Sequence, residues 1–210
     1  TDYIQILKGC QGVFYASDSV TSNDWKIYTA NLKVSENYPG IQAIAYAPYL
    51  PKNQSSALEK RIHRNNKEFR IKSTFKNEFI APIVYIEPFN ARNQRAWGFD
   101  LYSDPVRRKA IDRAIATGEA SITEKITLVQ ETSTNVQPGL LIFLPVYKTG
   151  TNLSTPESRK QNTVGLVSNV FRAHDLMNAL FQRYSDLDIQ IYDGPTVEPG
   201  NLLYNSGSLL

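Results

Sequence analysis

The pattern of apolar and polar residues has a helical period at the N-terminus. Apolar residues recur there at the spacing of one helix face. Thr21 followed by Asp24 has the form of a capping box, which marks the start of a helix. Pro39 and Gly40 then end the helical pattern. These signals predict an N-terminal helical stalk over residues 1–37.

Beyond the stalk, short apolar runs alternate with further helical patterns. The clearest helix begins at Pro105, whose missing N–H costs nothing in a first turn, with Ser103 or Asp104 as its N-cap. Gly118 supplies the left-handed residue that ends this helix. Predicted strands lie at 41–46, 69–72, 83–88, 122–129, 140–147, 163–171 and 187–193, and further predicted helices lie at 55–67 and 173–184.

Two of the predicted strands form a hairpin. Strands 122–129 and 140–147 follow each other along the chain and are joined by the loop 133–138, which predicts an antiparallel pair with a long connection. Hairpins mixed with helices are typical of the α+β fold class. The sequence contains no G-x-G-x-x-G motif and no P-loop, which argues against a nucleotide-binding fold.

Composition and charge exclude several functional classes. The 210 residues are 41% hydrophobic and carry a net charge of +3, which fits a folded domain. The basic residues are spread along the chain, and their two densest clusters fall on predicted helices. They do not converge as phosphate binding requires, so we predict no nucleic-acid partner. Cys10 is the single cysteine and there are two histidines, so we predict no metal site. The longest apolar run, 139–146, is too short for a bilayer span of about 20 residues.

Four carboxylates were candidates for catalysis, because paired carboxylates hydrolyse glycosides. They are Glu87, Asp100, Asp104 and Glu131. Asp104 is better explained as a helix cap, and Glu87 precedes a proline at a strand end. No nucleophile stands in a motif such as G-x-S-x-G. We therefore predict no catalytic residue and no cofactor.

Aromatic residues concentrate around one carboxylate in the middle of the chain. They are Tyr85, Phe89, Trp97, Phe99 and Tyr102. Asp100 lies between two apolar residues in the run W-G-F-D-L, where a buried carboxylate without a partner would be costly. An apolar pocket with few polar groups is the usual form of a small-molecule site. Core packing is the alternative explanation for the aromatic residues.

Several motifs resemble those of the CHASE domain family. The most specific block is G-F-D-L-Y-S-D-P-V-R-R over residues 98–108. Further likeness covers most of the chain from residue 38 to 193, in Y-P-G-I-Q-A-I (38–44), Y-I-E-P (85–88), A-I-A-T-G (114–118), I-T-L-V-Q-E (126–131) and L-P-V-Y (144–147). The chain is thus similar to the sensor domains of transmembrane histidine kinases and diguanylate cyclases.

The resemblance implies a fold and a division into parts. Family members have a long N-terminal helix followed by two PAS-like lobes with antiparallel sheets. On this basis residues 1–37 are the stalk, residues 38–147 the membrane-distal lobe that binds ligand, and residues 148–210 the membrane-proximal lobe. The family also implies a periplasmic or extracellular location, flanking transmembrane helices in the full-length protein, and a homodimer formed through the N-terminal helix.

The resemblance further implies the residues that bind the ligand. In plant cytokinin receptors an aspartate, a threonine and a main-chain group hold an adenine, and Asp100, Thr132 and Ile122 match these three positions. Tyr85, Trp97, Phe99, Leu128 and Leu144 are predicted to line the pocket. Because a carboxylate accepts from N–H groups, we expect an adenine-like ligand or one that bears an amine or amide.

Three functions remain open at this point. The first is an extracytoplasmic small-molecule sensor whose enzymatic output lies outside this chain. The second is a protein-interaction or dimerisation module without a small-molecule ligand, and the third is a secreted hydrolase. Solid packing of Tyr85, Trp97, Phe99 and Leu144 would favour the second function.

Overall fold

The computed structural model describes residues 2–74, 77–132, 134, 136–181, 184 and 186–207. The N-terminal region is helical, as predicted, but it forms three helices: α1 (Asp2–Tyr15), α2 (Ser22–Asn31) and α3 (Val34–Asn37). The predicted capping box is confirmed, because Thr21 Oγ1 accepts from the Asp24 N–H at 3.2 Å and Asp24 Oδ2 accepts from the Thr21 N–H at 2.9 Å. None of the described helices has both the length and the apolar character of a membrane span.

One antiparallel sheet of six strands organises the molecule. Its spatial order is β4, β1, β8, β7 and β5, and β6 pairs with β7 as well. The strands of this sheet are β1 (Ile41–Pro48), β4 (Tyr85–Glu87), β5 (Ser121–Ile122), β6 (Ile126–Thr127), β7 (Pro138–Tyr147) and β8 (Thr163–Arg172). Two smaller sheets pair β2 (Leu50–Pro51) with β3 (Phe79–Ile80) and β9 (Gln190–Tyr192) with β10 (Leu202–Asn205).

Further helices connect the strands. They are α4 (Ser55–His63), α5 (Ala91–Gln94), α6 (Pro105–Thr117), α7 (Pro156–Asn162) and α8 (Ala173–Phe181), and α6 packs on the large sheet. The signals predicted for α6 are all present: Asp104 Oδ1 caps the helix by accepting from the Arg107 N–H at 2.9 Å, Pro105 begins it, and Gly118 ends it at φ 77°. The predicted α+β class is therefore confirmed.

The long strands of the large sheet bury both of their faces. Because side chains alternate along a strand, neighbours point to opposite sides. One side, here called the α6 face, carries Ala45, Phe143 and Leu166, which pack with Ile111 of α6. The other side, the N-terminal face, packs against α1 and α2; its buried cluster consists of Ile6, Leu7, Cys10, Trp25, Ile44, Leu144, Val146 and Val167.

The predicted stalk is thus part of the folded core. Side-chain hydrogen bonds fix α1 to the sheet, since Gln11 Nε2 donates to the Pro145 carbonyl at 2.5 Å and Asn169 Nδ2 donates to the Tyr3 carbonyl at 2.9 Å. Close approach fixes α2 to α1, because a Cβ atom at Gly9 would lie 2.4 Å from the Tyr28 hydroxyl oxygen.

The predicted boundary between the lobes at 147/148 falls inside the large sheet. It separates β7 from β8, which are paired from Gly139 and Arg172 at one end to Tyr147 and Thr163 at the other. Because β8 also pairs with β1, it belongs to the lobe of the large sheet. Following this pairing, we refer to the large sheet and its helices, up to Arg172, as the first lobe, and to α8 with the small sheet of β9 and β10 as the second lobe.

Two predicted strands also differ from the structure. Residues 69–72 form a single bridge, between Lys72 and Phe99, in place of a strand. The strand predicted at 122–129 is divided into β5 and β6, because the Lys125 N–H donates to Asp193 Oδ2 at 2.6 Å and leaves the ladder at that point.

The packing of α1 predicts a large loss of stability on truncation of its central apolar side chain. Leu7 is 0% exposed and lies in the cluster of the N-terminal face. We expect Leu7→Ala to lower the free energy of unfolding by about 2–5 kcal/mol, measured by urea titration. Lys8→Ala, on the exposed side of the same helix, is the control and should change it by less than about 0.5 kcal/mol. Equal effects would show that α1 does not stabilise the fold.

Candidate ligand-binding site

Asp100 lies at the centre of the candidate site and is completely buried. Its Oδ1 atom accepts hydrogen bonds from the Ala81 N–H at 2.8 Å and from the Tyr102 N–H at 3.0 Å. Its Oδ2 atom accepts from the Ser73 hydroxyl at 2.7 Å. A buried carboxylate is stable only with such donors. Asp100 therefore ties together three segments of the chain that are distant in sequence.

Gly98 allows this arrangement two residues before Asp100. Its φ of +80° is in the region that glycine adopts readily, and an added Cβ atom would lie 1.9 Å from the Arg70 carbonyl oxygen. The backbone at Gly98 also donates to the Ile83 carbonyl at 2.9 Å, while its own carbonyl accepts from the Lys72 N–H at 2.8 Å. The glycine of the G-F-D-L motif thus brings the strand-like segments on both sides into contact.

Trp97 and Phe99 precede Asp100 and are partly buried on the α6 face. The Trp97 indole N–H donates to the Val84 carbonyl at 3.0 Å. The Phe99 ring lies under the guanidinium of Arg107, with 5.3 Å between the guanidinium carbon and the ring centroid. The polar end of Trp97 is therefore satisfied by the backbone, and Phe99 forms a cation–π contact.

Arg107 links this region to β6. One of its guanidinium nitrogens, Nη2, donates to the Thr127 carbonyl at 2.9 Å, and Nη1 pairs with Asp104 Oδ2 at 3.0 Å. Burial lowers the pKa of the Arg107 guanidinium from its ordinary value, and Asp104 opposes that shift. The sequence motifs gave no sign of this role, because a basic residue on a helix is usually exposed.

Leu128, Thr132 and Ile122 lie on or beside the strands that follow α6. Leu128 is buried in the α6-face cluster, against Gly139. The Thr132 hydroxyl donates to the Thr134 carbonyl at 3.0 Å, and the side chain is partly exposed. Ile122, predicted for its main chain, has a carbonyl that accepts from Arg113 Nη2 at 2.6 Å and a side chain that is 46% exposed.

Tyr85 and Leu144 do not belong to the same pocket. Both lie on the N-terminal face, where the Tyr85 hydroxyl donates to the Val20 carbonyl at 2.8 Å and Leu144 packs with α1. The neighbours Ile86 and Phe143 take the α6 face instead. The structure therefore does not bring Tyr85 and Leu144 together with Trp97 and Phe99. The strands are apolar on both sides, so the pattern of apolar residues did not reveal which face each residue takes.

Two aromatic residues that were not assigned to the pocket, Tyr49 and Phe79, pack beside Tyr102. The rings of Tyr49 and Phe79 are stacked at 4.9 Å and 3°, and Tyr49 meets Tyr102 edge-on at 5.4 Å. The Tyr102 hydroxyl donates to Asp112 Oδ1 at 2.6 Å. Burial raises the pKa of Tyr49 to about 12 and raises that of Tyr102 further, so both hydroxyls stay protonated at neutral pH.

Two open clefts lie away from Asp100. One, of about 390 Å³, lies between the turn that joins α1 to α2 and the end of β7; the other, of about 520 Å³, lies in the second lobe between α8 and β10. Neither is lined by Trp97, Phe99 or Asp100. Within the described ranges, no three His, Cys, Asp or Glu side chains are grouped so that they could hold a metal ion.

The hydrogen bonds of Asp100 predict that neutralising its side chain is costly. In Asp100→Asn one carboxylate oxygen becomes an N–H₂ group that faces a donor, so the free energy of unfolding should fall by about 1–3 kcal/mol. Asp18→Asn, at an exposed position, is the control for the loss of charge. Urea titration compares the two, and an unchanged Asp100→Asn variant would show that the carboxylate does not hold the three segments.

Gly98 generates a second prediction. Gly98→Ala should lower the free energy of unfolding by at least about 2 kcal/mol more than Gly150→Ala does, because overpacking adds to the conformational cost. Gly150 is the matched control, since it also has a positive φ, of +73°, but an added Cβ atom would meet nothing within 4 Å. Thermal and urea unfolding measure the stability of both variants. An equal loss of stability in the two would mean that the close approach of the Arg70 carbonyl does not require glycine at position 98.

Comparisons with known proteins agree with this architecture. The chain is 26% identical over 191 residues to hybrid signal transduction histidine kinase A of Dictyostelium discoideum, an alignment that covers 83% of this chain and 9% of that protein. In fold it is similar to the periplasmic sensory domain of the Campylobacter jejuni chemoreceptor Tlp1, with a TM-score of 0.51 and 12% identity over 97% of this chain and 68% of that one.

The family assignment rests on a match to most of the chain. The model of the CHASE domain family matches residues 18–204, from the turn before α2 into β10. This range contains the G-F-D-L motif, both lobes and the whole large sheet. The chain belongs to the CHASE domain family and is a sensor domain of a signalling receptor.

Proposed function

We propose that this chain is the extracytoplasmic domain of a transmembrane histidine kinase or diguanylate cyclase, and that it binds a small molecule in the first lobe beside Asp100. The observation that carries the proposal is the buried Asp100 carboxylate, which follows Phe99 in the block G-F-D-L-Y-S-D-P-V-R-R, inside the range that matches the family. The kinase from Dictyostelium supports the output class, and the periplasmic chemoreceptor domain supports the location.

The three donors to Asp100 differ in how readily a ligand replaces them. The two donors to Oδ1 are backbone N–H groups, which are fixed by the fold. The donor to Oδ2 is the Ser73 hydroxyl, which can rotate and lies on a partly exposed residue. Oδ2 is therefore the atom that the ligand engages, and a ligand N–H takes the place of the Ser73 hydroxyl.

This exchange defines the chemical class of the ligand. The incoming group must donate a hydrogen bond to a buried carboxylate and must fit beside flat aromatic rings. Adenine-like compounds and small molecules with an amine or amide group meet both requirements. Thr132 and the main chain of Ile122 are the proposed partners on the neighbouring strands, with Trp97, Phe99 and Leu128 as apolar contacts.

The proposed receptor has transmembrane helices on both sides of this domain and assembles as a homodimer through its N-terminal region. The inner side of α1 is occupied by its own sheet. A dimer contact would therefore use the outer side, where Gln5, Lys8 and Gly12 lie. Nothing within 4 Å would meet a Cβ atom at Gly12, so a partner helix could approach closely there.

An interaction module without a ligand is the second candidate. The observation that favours it is that both oxygens of Asp100 already have protein donors. In that case the carboxylate serves the fold alone, and the surface of the domain carries the function. The following experiment separates the two candidates.

The ligand proposal predicts opposite effects at Ser73 and Thr132. Small molecules released from the purified domain are identified by mass spectrometry, and each of them, together with adenine, is titrated by calorimetry. Ser73→Ala removes the internal competitor for Oδ2 and should bind the identified compound at least as tightly as the original chain. Thr132→Ala should bind it about fivefold or more weakly, since it removes one hydrogen bond. Thr151→Ala, in an exposed loop, is the control.

Two results would contradict the ligand proposal. In one, no compound is released and neither adenine nor small amines or amides bind, which would favour the interaction module. In the other, a compound binds equally well to the original chain, to Ser73→Ala and to Thr132→Ala, which would place its site elsewhere.

A further inference from the structure

A cluster of charged and polar side chains joins the candidate site to the second lobe. We call it the Glu131 network, and its members are Arg92, Glu131, Gln137, Arg172 and Asp175. Glu131 and Gln137 lie on the segment 128–137, which also carries Leu128 and Thr132 and connects β6 to β7. Arg172 is the last residue of β8, and Asp175 lies in the first turn of α8. The network therefore bridges the two lobes.

Glu131 is held almost completely out of solvent. Arg172 contacts both of its oxygens, with Nε at 2.8 Å from Oε1 and Nη2 at 3.4 Å from Oε2. Arg92 approaches the same carboxylate at 3.6 Å, and Arg95 donates to the Glu131 carbonyl at 3.2 Å. The Glu131 and Arg172 side chains are only 4% and 8% exposed. A two-point ion pair this deeply buried fixes the relative orientation of its partners.

Arg172 extends the contact to the start of α8. Its Nη1 atom pairs with Asp175 Oδ2 at 2.7 Å. Gln137 binds the same turn from the other end of the 128–137 segment, since its Nε2 donates to Asp175 Oδ1 at 2.8 Å. Gln137 Oε1 accepts from the N–H groups of His174 and Asp175 at 3.1 and 3.3 Å, which satisfies donors that a helix start leaves without partners.

The helix that is held in this way packs into the second lobe. Leu176 of α8 is buried with Phe171 of β8 and Leu203 of β10. The Tyr204 hydroxyl donates to Asn178 Oδ1 at 2.9 Å. A change in the direction of α8 would therefore shift the small sheet with it.

A second contact ties the same edge of the first lobe to the small sheet. The Lys125 N–H donates to Asp193 Oδ2 at 2.6 Å, and the Lys125 ammonium donates to the carbonyls of Gly200 and Leu202. Lys125 lies between β5, which carries Ile122, and β6. Both connections thus begin beside residues of the candidate ligand site.

We infer that the Glu131 network couples the segment 128–137 to α8, so that a ligand that moves this segment changes the position of the second lobe. The role of the ligand rests on the proposed function, whereas the coupling itself belongs to the fold. The network has a defined set of hydrogen bonds both at Glu131 and at the start of α8. If the segment moves, it must either carry Arg172 along or break the buried ion pair between Glu131 and Arg172. By thermodynamic reciprocity, a change at α8 must act equally on the segment.

Hydrogen exchange tests the coupling without any ligand. Glu131→Gln should raise the exchange rates of the α8 amides by about fivefold or more, the lower range of coupling between sites. The paired strands β7 and β8 should exchange as before. Glu124→Gln is the matched control, since it removes a Lys109 ion pair whose side chains are 71% and 56% exposed. An α8 that exchanges at the same rate in both variants would overturn the inference.

The path through Arg172 is tested by a double substitution. In an Arg172→Met background, Glu131→Gln should have no further effect on α8, because the connecting guanidinium is gone. A full effect of Glu131→Gln in that background would overturn the role of Arg172. If Arg172→Met does not fold, Asp175→Asn replaces it and the readout becomes the amides of 128–132. These should exchange faster in Asp175→Asn, and an effect confined to α8 would contradict the coupling.

The hydrogen-exchange tests of the coupling and the calorimetric test of ligand binding can fail separately. Failure of calorimetry to detect a ligand leaves the exchange result as a property of the fold, so the network would then transmit another signal. Failure of the exchange test with a confirmed ligand would leave the site in place and require a different route to the second lobe, with Lys125→Ala as the variant that tests it.

Discussion

The pairing of β8 between β1 and β7 is the interaction on which the rest of the molecule depends. It places a strand from residues 163–172 in the middle of a sheet whose other long strands begin at residues 41 and 138. Both faces of β8 are buried, so the α6 face and the N-terminal face exist only when it is in place. Its last residue, Arg172, then determines where the second lobe begins and how it is connected.

The two faces of the sheet have different tasks. The N-terminal face is filled by α1 and α2, which close it with apolar side chains and rigid aromatic contacts such as the stacked pair of Phe14 and Tyr46 at 4.1 Å. The α6 face is covered by a helix and by irregular segments that are held through single side chains, above all Asp100. Segments held in this way can rearrange by exchanging a few hydrogen bonds, as the proposed ligand site requires, whereas the helical face cannot change without loss of the core.

Local signals in the sequence predicted the helices well, and distant contacts account for the errors. The cap at Asp104, the proline at 105 and Gly118 predicted α6 because a helix is determined by residues close to one another. The placement of β8 in the larger sheet depends on partners more than a hundred residues away, which no local pattern records. The same holds for the candidate site. The sequence motif singles out Asp100, but its partner Ser73 lies 27 residues away and no local pattern indicates it. The apolar runs in β4 and β7 are nearly continuous, so they do not reveal on which face of the sheet Tyr85 and Leu144 lie.

The central position of β8 also has a consequence for synthesis of the protein. During translation, β1 emerges from the ribosome long before β8, the strand that pairs with it in the middle of the sheet. β7 also emerges before β8, so the edges of β1 and β7 that β8 later joins are both unpaired until then. Strands with unpaired edges and apolar faces are prone to pair with other chains. We therefore expect the nascent first lobe to depend on holding chaperones until residue 172 is available, and the second lobe to fold last, against a sheet that is already complete.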